Sequence, residues 1–430
     1  MNIQQLYPYF LKSGSVSTDS RNIKPGCVFF GLKGENFNGN EFVEQAIEAG
    51  ACCAITDDKE RENPDKNIFY FENSLSALQQ LANYHKNKMN VPVFSLTGSN
   101  GKTTTKELLA AVLAKKYKLT ATKGNLNNHI GVPLTLLTIK TDHEIAIVEM
   151  GANHQKEIEF LCSIAEPDFG YITNFGKAHL EGFGGEEGVI KGKSELYQYL
   201  AANSKMAFVN CDDPKQIELT SEIEEKKLFG NCDDADFKFS FTENEDGSCP
   251  RLNYKSSGIQ SNLIGSYNAA NVAVATAVGL YFRVPFAKIR EAIEAYHSDN
   301  NRSQLIEKAD YKIILDAYNA NPSSMEAALR NFNLISAKHK AVVLGDMFEL
   351  GVQAQEEHQK IAQLAESLDF ENIFLIGEHF DKIKSERPTI RTFKDRETAK
   401  SWFASNPFHF DYLLIKGSRG MALEKLLDVF

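Results

Sequence analysis

The hydrophobic and polar positions divide the chain into three stretches, and the first alternates short apolar strands with helical patterns. Residues 26 to 88 contain, in order, GCVFFGL, NEFVEQAIEAGA, CCAIT and SLSALQQLANYHKNK. This alternation predicts a small α/β unit. Pro92 interrupts the pattern, and we place the boundary of a first domain, residues 1 to 89, just before it.

The second stretch has continuous apolar strands that run directly into helical patterns. The strands are VFSLTG, EIAIVEMG, FGYITNFG and MAFVNC, and the helix after the first of them is KTTTKELLAAVLAKK. Such runs suit a parallel sheet that is covered on both faces. We therefore predict a P-loop α/β domain over residues 90 to 300, with an insertion of poorer periodicity at residues 228 to 264 and a long helix in YNAANVAVATAVGLYF.

The third stretch, residues 301 to 430, again alternates strands and helices. Its strands are YKIILDAY, KAVVLGDM, NIFLIGE and DYLLIKGS, with polar residues at their ends, where doubly wound sheets bind ligands. The predicted fold class is α/β with three domains. These are a small N-terminal α/β domain, a central P-loop ATPase domain with a parallel sheet, and a C-terminal doubly wound α/β domain.

Charge and composition narrow the possible partners. The 430 residues include 57 acidic and 47 basic side chains, a formal net charge of -10, and no block of lysine or arginine offers a nucleic-acid surface. The N-terminus lacks the basic start and apolar stretch of a signal peptide, and no later apolar run is long enough to span a bilayer. No large apolar surface stretch demands a protein partner. We expect a cytoplasmic monomer that binds neither nucleic acid nor membrane.

The seven cysteines have no metal-binding spacing. Cys52 and Cys53 are adjacent within an apolar run, which favours buried free thiols in a reducing compartment. The sequence therefore predicts no disulfide and no zinc site.

A glycine-containing segment, TGSNGKTTTKE, joins the first strand of the second stretch to its helix. Only Ser99 and Asn100 separate Gly98 from Gly101, whereas the usual phosphate-binding loop has four residues between its glycines. Backbone N–H groups and the helix N-terminus still face the same space, which makes an anion site by geometry.

Polar residues near this loop could complete a nucleotide site. Lys102 would reach the β- and γ-phosphates, and Thr103 would offer a hydroxyl to Mg²⁺. Glu149 ends one strand and His179 follows another, so both converge on the loop if those strands are neighbours, and both suit a divalent metal that touches phosphate oxygens. The alternatives are a threonine-capped glycine turn, a surface carboxylate and a loop histidine with its own partners.

Other polar segments are more ambiguous. Lys193 lies in the helical stretch VIKGKSELYQYL, where spacing alone predicts a solvated lysine. The segments TKGNLNNHIGVP and DAYNANPSSMEAAL are rich in asparagine, which suits tight turns or an uncharged polar ligand. In LLIKGSRGMALE, Lys416 precedes a helix N-terminus, which fits either a carboxylate or phosphate site or a capped helix with surface cations.

Ten segments in register resemble the Mur ligase family and cover nearly the whole chain in order. They are STDSRNIKPGCVFFGLKGENFNG, TGSNGKTTTKE, GNLNNHIGVPLTLL, VEMGANHQKEI, TNFGKAHLEGFGG, KGKSELY, YNAANVAVA, LDAYNANPSSMEAAL, LGDMFELG and LIKGSRGMALE. The short TGxNGKT loop is the form that these ligases use. One departure is Tyr267, where the family usually has histidine, which weakens the expectation of an adenine contact there.

The resemblance implies an ATP-dependent ligase of peptidoglycan synthesis. Its N-terminal domain would bind a uridine nucleotide, its central domain ATP, and its C-terminal domain would close over the site. The carboxylate of UDP-N-acetylmuramoyl-tripeptide would take the γ-phosphoryl group of ATP, and the amine of D-alanyl-D-alanine would displace phosphate from the acyl phosphate. Closure would exclude water, which otherwise hydrolyses that intermediate.

The resemblance also implies roles for individual residues. Catalysis would rest on Lys102, His179, Lys193 and Arg302. The implied nucleotide contacts are Gly98, Ser99, Asn100, Gly101, Lys102, Thr103, Thr104, Asn268, Asn271, Arg302 and Asp316. The implied substrate contacts are Asp19, Ser20, Arg21 and Asn36 on the uridine side, Asn127 and Asn128 on the muramyl-peptide side, and Asn319, Asn321, Asp346, Glu349 and Lys416 for the dipeptide.

Two Mg²⁺ sites are implied as well. Thr103 and Glu149 would hold the first, and His179 and a carbamylated Lys193 the second. Carbamylation requires a neutral amine, so the site must favour deprotonation of a group whose ordinary pKa is about 10.4.

Two alternatives stay open. One is a related ligase that adds a single amino acid to a muramyl peptide or glutamate to folate. The other is a non-catalytic nucleotide-binding protein, although a binding protein has no need for the second metal site or the carbamylated lysine.

Overall fold

The computed structural model describes residues 1–244, 247–368, 370–383, 385 and 387–430. Three separate, largely parallel sheets carry most of the strands, and helices cover them. The predicted three-part α/β architecture is confirmed.

The N-terminal part has a four-stranded parallel sheet in the order β1-β2-β5-β6. Its elements are α1 (Ile3–Ser13), β1 (Val16–Ser17), β2 (Val28–Phe30), the hairpin strands β3 (Lys33–Gly34) and β4 (Phe37–Asn38), α2 (Val43–Glu48), β5 (Cys53–Thr56), β6 (Ile68–Tyr70) and α3 (Ser74–Met89). The sequence predicted β2, β5, α2 and α3 but not α1, β1 or β6. Helix α3 packs on the central part, where the Gln79 side-chain amide donates to the His129 carbonyl at 3.0 Å.

The central part has a seven-stranded parallel sheet in the order β13-β12-β11-β10-β7-β9-β8. Its strands are β7 (Val93–Thr97), β8 (Leu119–Ala121), β9 (Ile145–Glu149), β10 (Phe169–Ile172), β11 (Met206–Asn210), β12 (Lys226–Gly230) and β13 (Phe237–Lys238). Its helices are α4 (Lys102–Leu113), α5 (Gly131–Leu136), α6 (Glu157–Ala165), α7 (Leu180–Phe183), α8 (Glu186–Ala202), α9 (Pro214–Leu219), α10 (Ala269–Tyr281) and α11 (Phe286–Glu294). Strands β7 and β9 are buried along their whole length, as the apolar runs predicted.

The insertion is shorter than the sequence suggested. Its first strands, β12 and β13, extend the central sheet, and only β14 (Ser240–Thr242), β15 (Arg251–Tyr254) and β16 (Ser257–Ile259) form a separate antiparallel sheet. The short strands with mixed burial hid this division from a periodicity analysis.

The prediction that all cysteines are free is wrong. Cys211 follows β11 and Cys232 follows β12, and a disulfide joins them. Because β11 and β12 are parallel neighbours, their carboxyl ends bring two cysteines 21 residues apart in sequence side by side. Cys53 is buried as predicted, whereas Cys52 is only partly buried.

The C-terminal part has a six-stranded sheet in the order β17-β18-β22-β19-β20-β21, parallel except for the edge strand β17. Its elements are β17 (Gln304–Glu307), β18 (Lys312–Asp316), α12 (Pro322–Leu334), β19 (Lys340–Gly345), α13 (Ala354–Ser367), β20 (Asn372–Ile376), β21 (Ile390–Phe393), α14 (Arg396–Ser405) and β22 (Tyr412–Lys416). All four predicted strands are present. The edge strands β17 and β21, which are only partly buried, were not predicted.

Within the described ranges, no helix combines the length and apolar character needed to cross a membrane.

Candidate active site

A cavity of about 1080 Å³ lies between the glycine loop of the central part and the strand ends of the C-terminal part. It opens at the carboxyl ends of β7, β9 and β10, which are neighbours in the sheet as the metal hypothesis required. The residues singled out in the sequence that line it are Ser99, Asn100, Gly101, Lys102, Thr103, Thr104, Asn127, Asn128, Glu149, His179, Asn268, Asn271, Arg302, Asp316, Asn319, Asn321 and Lys416.

The shape of the glycine loop depends on residues that follow β10. Gly98 has a φ of +139°, and a Cβ there would lie 2.0 Å from Oγ1 of Thr173. The carbonyl of Asn100 accepts hydrogen bonds from Thr173 Oγ1 at 2.5 Å and from Asn174 Nδ2 at 3.0 Å. Sequence reasoning missed Thr173 and Asn174, although their place directly after a strand next to β7 was a usable signal.

Lys102 begins helix α4 and turns its amine back onto the loop. Nζ donates to the carbonyl of Gly98 at 2.6 Å and to that of Ser99 at 3.3 Å. Burial lowers the pKa of Lys102 to about 8, with nearby Arg302 acting in the same direction and Glu149 opposing it. An anion in the cavity would restore the charged form, because opposite charge favours the ammonium.

Glu149 ends β9 as a buried carboxylate with one free oxygen. Oε1 accepts from Asn127 Nδ2 at 2.8 Å, whereas Oε2 has no hydrogen-bond partner among the described residues. A buried carboxylate oxygen without a partner is costly unless a ligand satisfies it. The free oxygen, with the Thr103 hydroxyl also at the cavity, fits a divalent cation.

The protein offers few ligands for such a cation. The described part of the chain has no cluster of three or more histidine, cysteine, aspartate or glutamate side chains that could hold a metal. A Mg²⁺ here would therefore take one or two protein ligands and complete its shell with phosphate oxygens and water, which is its usual preference.

The expectation from spacing that Lys193 is solvated is wrong. Its side chain is completely buried, and Nζ donates to the carbonyl of Ala152 at 2.9 Å and lies 4.9 Å from the centre of the Phe183 ring. Burial lowers its pKa well below the ordinary value, and the charge of Lys102 acts in the same direction, against Glu157 and Glu195. Ala152 lines the cavity, so the amine lies directly behind the cavity wall.

The C-terminal part contributes cations to the opposite wall. The Arg302 guanidinium stacks 3.6 Å from the Tyr318 ring centre, and its buried Nε has no partner in the described structure. Lys416 forms an ion pair with Asp316 at 2.5 Å. These charges face the loop across the cavity.

Hydrogen bonds join the two parts at the cavity. Asn321 caps helix α12, and its Nδ2 donates to Oδ1 of Asn100 at 2.7 Å. On the other side, Nδ1 of His179 hydrogen-bonds Oε2 of Glu349. This contact lowers the pKa of the Glu349 carboxyl. Glu349 thus meets a proposed metal ligand, although it was assigned to the dipeptide.

Two of the implied substrate residues, Asp346 and Asn128, have structural partners in the protein. Asp346 is buried outside the cavity lining and accepts from the backbone N–H of His379 and of Phe380, each at 3.0 Å. Asn128 accepts from the N–H groups at the start of helix α5. Their carboxylate and amide groups therefore cap local turns in this structure.

The implied adenine side forms a chain of amides. Asn271 donates to Oδ1 of Asn268 at 2.8 Å and accepts from Thr105 at 2.9 Å. Tyr267 lines the same end of the cavity, and its hydroxyl lies 2.8 Å from that of Ser303.

The implied uridine contacts are outside the cavity lining. Asp19 and the exposed Arg21 form a bidentate ion pair with distances of 2.9 and 3.0 Å. Ser20 lies between them, and Asn36 is exposed at the turn of the β3–β4 hairpin. The structure does not bring these four residues to the nucleotide loop.

Family comparisons agree with this architecture. Residues 13–86 match the model described as "Mur ligase family, catalytic domain", residues 96–279 match "Mur ligase middle domain", and residues 301–419 match "Mur ligase, glutamate ligase domain". This chain belongs to the Mur ligase family, and the resemblance seen in the sequence is confirmed.

Several similar proteins carry the same name. The UDP-N-acetylmuramoyl-tripeptide–D-alanyl-D-alanine ligase of Bacillus subtilis is 32% identical, over 96% of this chain and 92% of the relative. The structure of MurF from Acinetobacter baumannii superposes with a TM-score of 0.86 at 29% identity, covering 99% of this chain and 98% of that one. MurF from Thermotoga maritima in complex with ADP gives a TM-score of 0.85 at 26% identity, covering 98% and 97%.

Proposed function

We propose that this chain is an ATP-dependent ligase that joins D-alanyl-D-alanine to UDP-N-acetylmuramoyl-tripeptide, forming the pentapeptide precursor of peptidoglycan with release of ADP and phosphate. The observation that carries the proposal is the cavity between the Gly98–Thr103 loop and Arg302, which gathers phosphate-binding groups from two domains. The full-length similarity to ligases of that name supports the choice of substrates.

The two walls of the cavity contact the phosphates of ATP from opposite sides. Lys102 and the start of helix α4 bind the β- and γ-phosphates from the central side, and Arg302 binds the γ-phosphate from the C-terminal side. Arginine suits this task because its fork pairs bidentately with phosphate oxygens. Asn268 and Asn271 serve the adenine, and Asp316 the ribose.

Glu149 and Thr103 would hold one Mg²⁺, and His179 and Lys193 a second. Mg²⁺ supplies charge neutralisation at the phosphoryl oxygens when bound. The unpartnered Oε2 of Glu149 supports the first assignment. Nδ1 of His179 hydrogen-bonds Glu349, so Nε2 would be the metal ligand, and a carboxylate on the other ring nitrogen is the usual partner of a metal-binding histidine.

Lys193 is the residue that we propose to be carbamylated. Only a neutral amine attacks CO₂, and the buried environment lowers the pKa of Lys193 in that direction. The amine and CO₂ give an anionic carbamate with release of one proton, and its two oxygens make the buried lysine a group that binds a cation.

The acyl phosphate has to be protected while the amine of the dipeptide arrives. Asn319, Asn321 and Lys416 line the C-terminal wall, where they bind the dipeptide. The hydrogen bond between Asn321 and Asn100 keeps this wall against the loop, and the contact supports exclusion of water. Asp346 and Glu349 follow β19, where Asp346 supports the turn at His379 and Phe380 and Glu349 contacts His179.

The domains have separate tasks in this proposal. Residues 1–89 bind the uridine nucleotide through Asp19, Ser20, Arg21 and Asn36, residues 90–300 bind ATP and, through Asn127 and Asn128, the muramyl peptide, and residues 301–430 close over both. We propose that the protein acts in the cytoplasm as a monomer.

ADP release tests the function. The purified protein, with ATP and Mg²⁺, is given UDP-N-acetylmuramoyl-tripeptide together with D-alanyl-D-alanine or with single D- or L-amino acids. We expect release only with the dipeptide. Equal release with a single amino acid would replace the proposal by the related ligase that adds one residue, and no release with any acceptor would favour a non-catalytic nucleotide-binding protein.

A further inference from the structure

Arg302 lies in the linker between helix α11 and strand β17, and the backbone on both sides of it is in an unfavourable conformation. Asn301 has a φ of +57° and Ser303 a φ of +49°. Asparagine adopts the left-handed region more often than most residues but serine rarely does, so local preference alone does not hold this linker in place. Tertiary contacts have to do so.

The contacts upstream of Arg302 converge on Glu107, in the helix that starts with Lys102. The Tyr296 hydroxyl donates to Oε2 of Glu107 at 2.5 Å, and Nδ2 of Asn300 lies 3.3 Å from Oε1 and 3.4 Å from Oε2. Glu107 also forms an ion pair with Lys106, whose Nζ lies 3.6 Å from Oε1. Glu107 therefore fastens two points of the linker to helix α4.

A further hydrogen bond holds Arg302 itself. The Ser298 hydroxyl, between Tyr296 and Asn300, donates to the carbonyl of Arg302 at 2.5 Å. Burial raises the pKa of the Tyr296 hydroxyl, and its hydrogen bond to Glu107 raises it further, so the phenol remains a donor at physiological pH. Downstream, the Ser303 N–H donates to Asp316 at 3.2 Å.

We propose that Glu107 is a positioning residue, which fixes the distance between Arg302 and Lys102 by tying the linker to the helix that carries the lysine. Lys102 and Glu107 belong to one rigid helix, α4, and the linker is bound to that helix through Tyr296 and Asn300. The position of Arg302 relative to Lys102 is thereby fixed by a single helix. This inference rests on the proposed role of Arg302 at the γ-phosphate.

The test uses Glu107→Ala in the full-length protein, with kcat and KM for ATP measured in the ligation assay. We expect kcat/KM for ATP to fall about ten- to a hundredfold, because small displacements of catalytic groups have effects of that size. Tyr296→Phe removes one hydrogen bond and should give a smaller loss in the same direction. Glu291→Gln is the matched control, because Glu291 of α11 also forms an ion pair across to the other chain segment, with Lys115 just beyond the end of α4 at 2.9 Å, but it is not part of the linker.

The decisive measurement is the effect of Glu107→Ala in an Arg302→Ala background. A residue that acts through Arg302 should cause no further loss once the arginine is absent. An equal loss in both backgrounds, or wild-type kinetics of Glu107→Ala, would overturn the proposal. If Glu107→Ala does not fold, Tyr296→Phe is compared in the same two backgrounds with the same criteria. Absence of ligation by the wild-type protein would contradict the proposed function instead.

Discussion

The glycine loop places Lys102 in the lining of the cavity, and helix α8 places Lys193 behind the wall of the same cavity, but the two lysines are held by different means. Lys102 is held by carbonyls three and four residues away, in its own loop. Lys193 is held by Ala152, 41 residues away, and lies against the ring of Phe183. Burial lowers the pKa of both amines.

The difference shows why one lysine was assigned from local spacing and the other was not. A strand, a glycine turn and a helix determine where Lys102 points, because these elements are consecutive. The surroundings of Lys193 come from segments that only the fold brings together. The two lysines are also expected to differ in charge, since Lys102 is a cation for phosphate, whereas Lys193 is proposed to become an anion.

The largest effect is expected for Lys193→Ala. Ligation should fall about a thousandfold or more, because the variant lacks a carboxylate at the proposed metal site. Short carboxylic acids such as acetate should restore part of the rate, which is measured as ADP release. The exposed Lys191 lies on the same helix, and Lys191→Ala is the control that should retain wild-type activity. Wild-type turnover of Lys193→Ala would contradict its role.

Lys102→Gln should have the next largest effect. Removal of the cation at the phosphates should lower kcat/KM for ATP about a hundredfold, and carboxylic acids should not restore it. The control is Lys116→Gln, because Lys116 follows α4, is exposed and is outside the cavity lining. Rescue of Lys102→Gln by acetate would show that the two lysines do not differ as proposed.

The two lysines should also differ in their pH dependence. Lys102 must be protonated to pair with phosphate, and its pKa in the free protein is about 8. As pH rises above that value the amine becomes neutral, so kcat/KM for ATP should fall about tenfold per pH unit. The arginine of the Lys102→Arg variant stays protonated. Its kcat/KM for ATP should therefore not fall at high pH, whatever its absolute rate. An unchanged profile in the arginine variant would assign the fall to another group.

The smallest effect is expected on stability. Replacing Lys193 should stabilise the protein although it abolishes ligation. The pKa of Lys193 is lower in the folded than in the unfolded protein, so the unfolded chain binds more protons between the two values and stability rises with pH there. Lys193→Met removes this penalty and should raise the melting temperature at pH 7, measured in EDTA and CO₂-free buffer. The difference from wild type should shrink as pH approaches about 10, the ordinary lysine pKa. A lower melting temperature of the variant at pH 7 would contradict an uncompensated buried amine.

Much of the fold was predictable because its strands are buried on both faces. The apolar runs around β7, β9 and β19 gave the correct elements without any tertiary information. The partly buried edge strands β17 and β21 and the short strands of the insertion lack that signal. The Cys211–Cys232 disulfide was missed for a related reason, since strand adjacency, and not cysteine spacing, brings the two residues together.

The candidate site was likewise only partly predictable from the sequence. Residues at the carboxyl ends of central strands, such as Glu149 in β9 and Asn174 just after β10, are brought to one edge by the parallel sheet. The N-terminal residues Asp19 and Arg21 lie between β1 and β2 of another sheet and are outside the cavity lining. Glu107 ends the very segment that defines the loop, yet its partners Tyr296 and Asn300 are almost 200 residues away.

The sequence by itself determined the three α/β units, the phosphate loop and the family, because periodicity, glycine spacing and motif order are local properties of the chain. Tertiary structure alone decided that Lys193 is buried, that Glu149 keeps a free oxygen, and that Arg302 faces Lys102. Burial, a missing hydrogen-bond partner and the distance between two charges all depend on segments remote in sequence, which come together only when the sheets and helices pack.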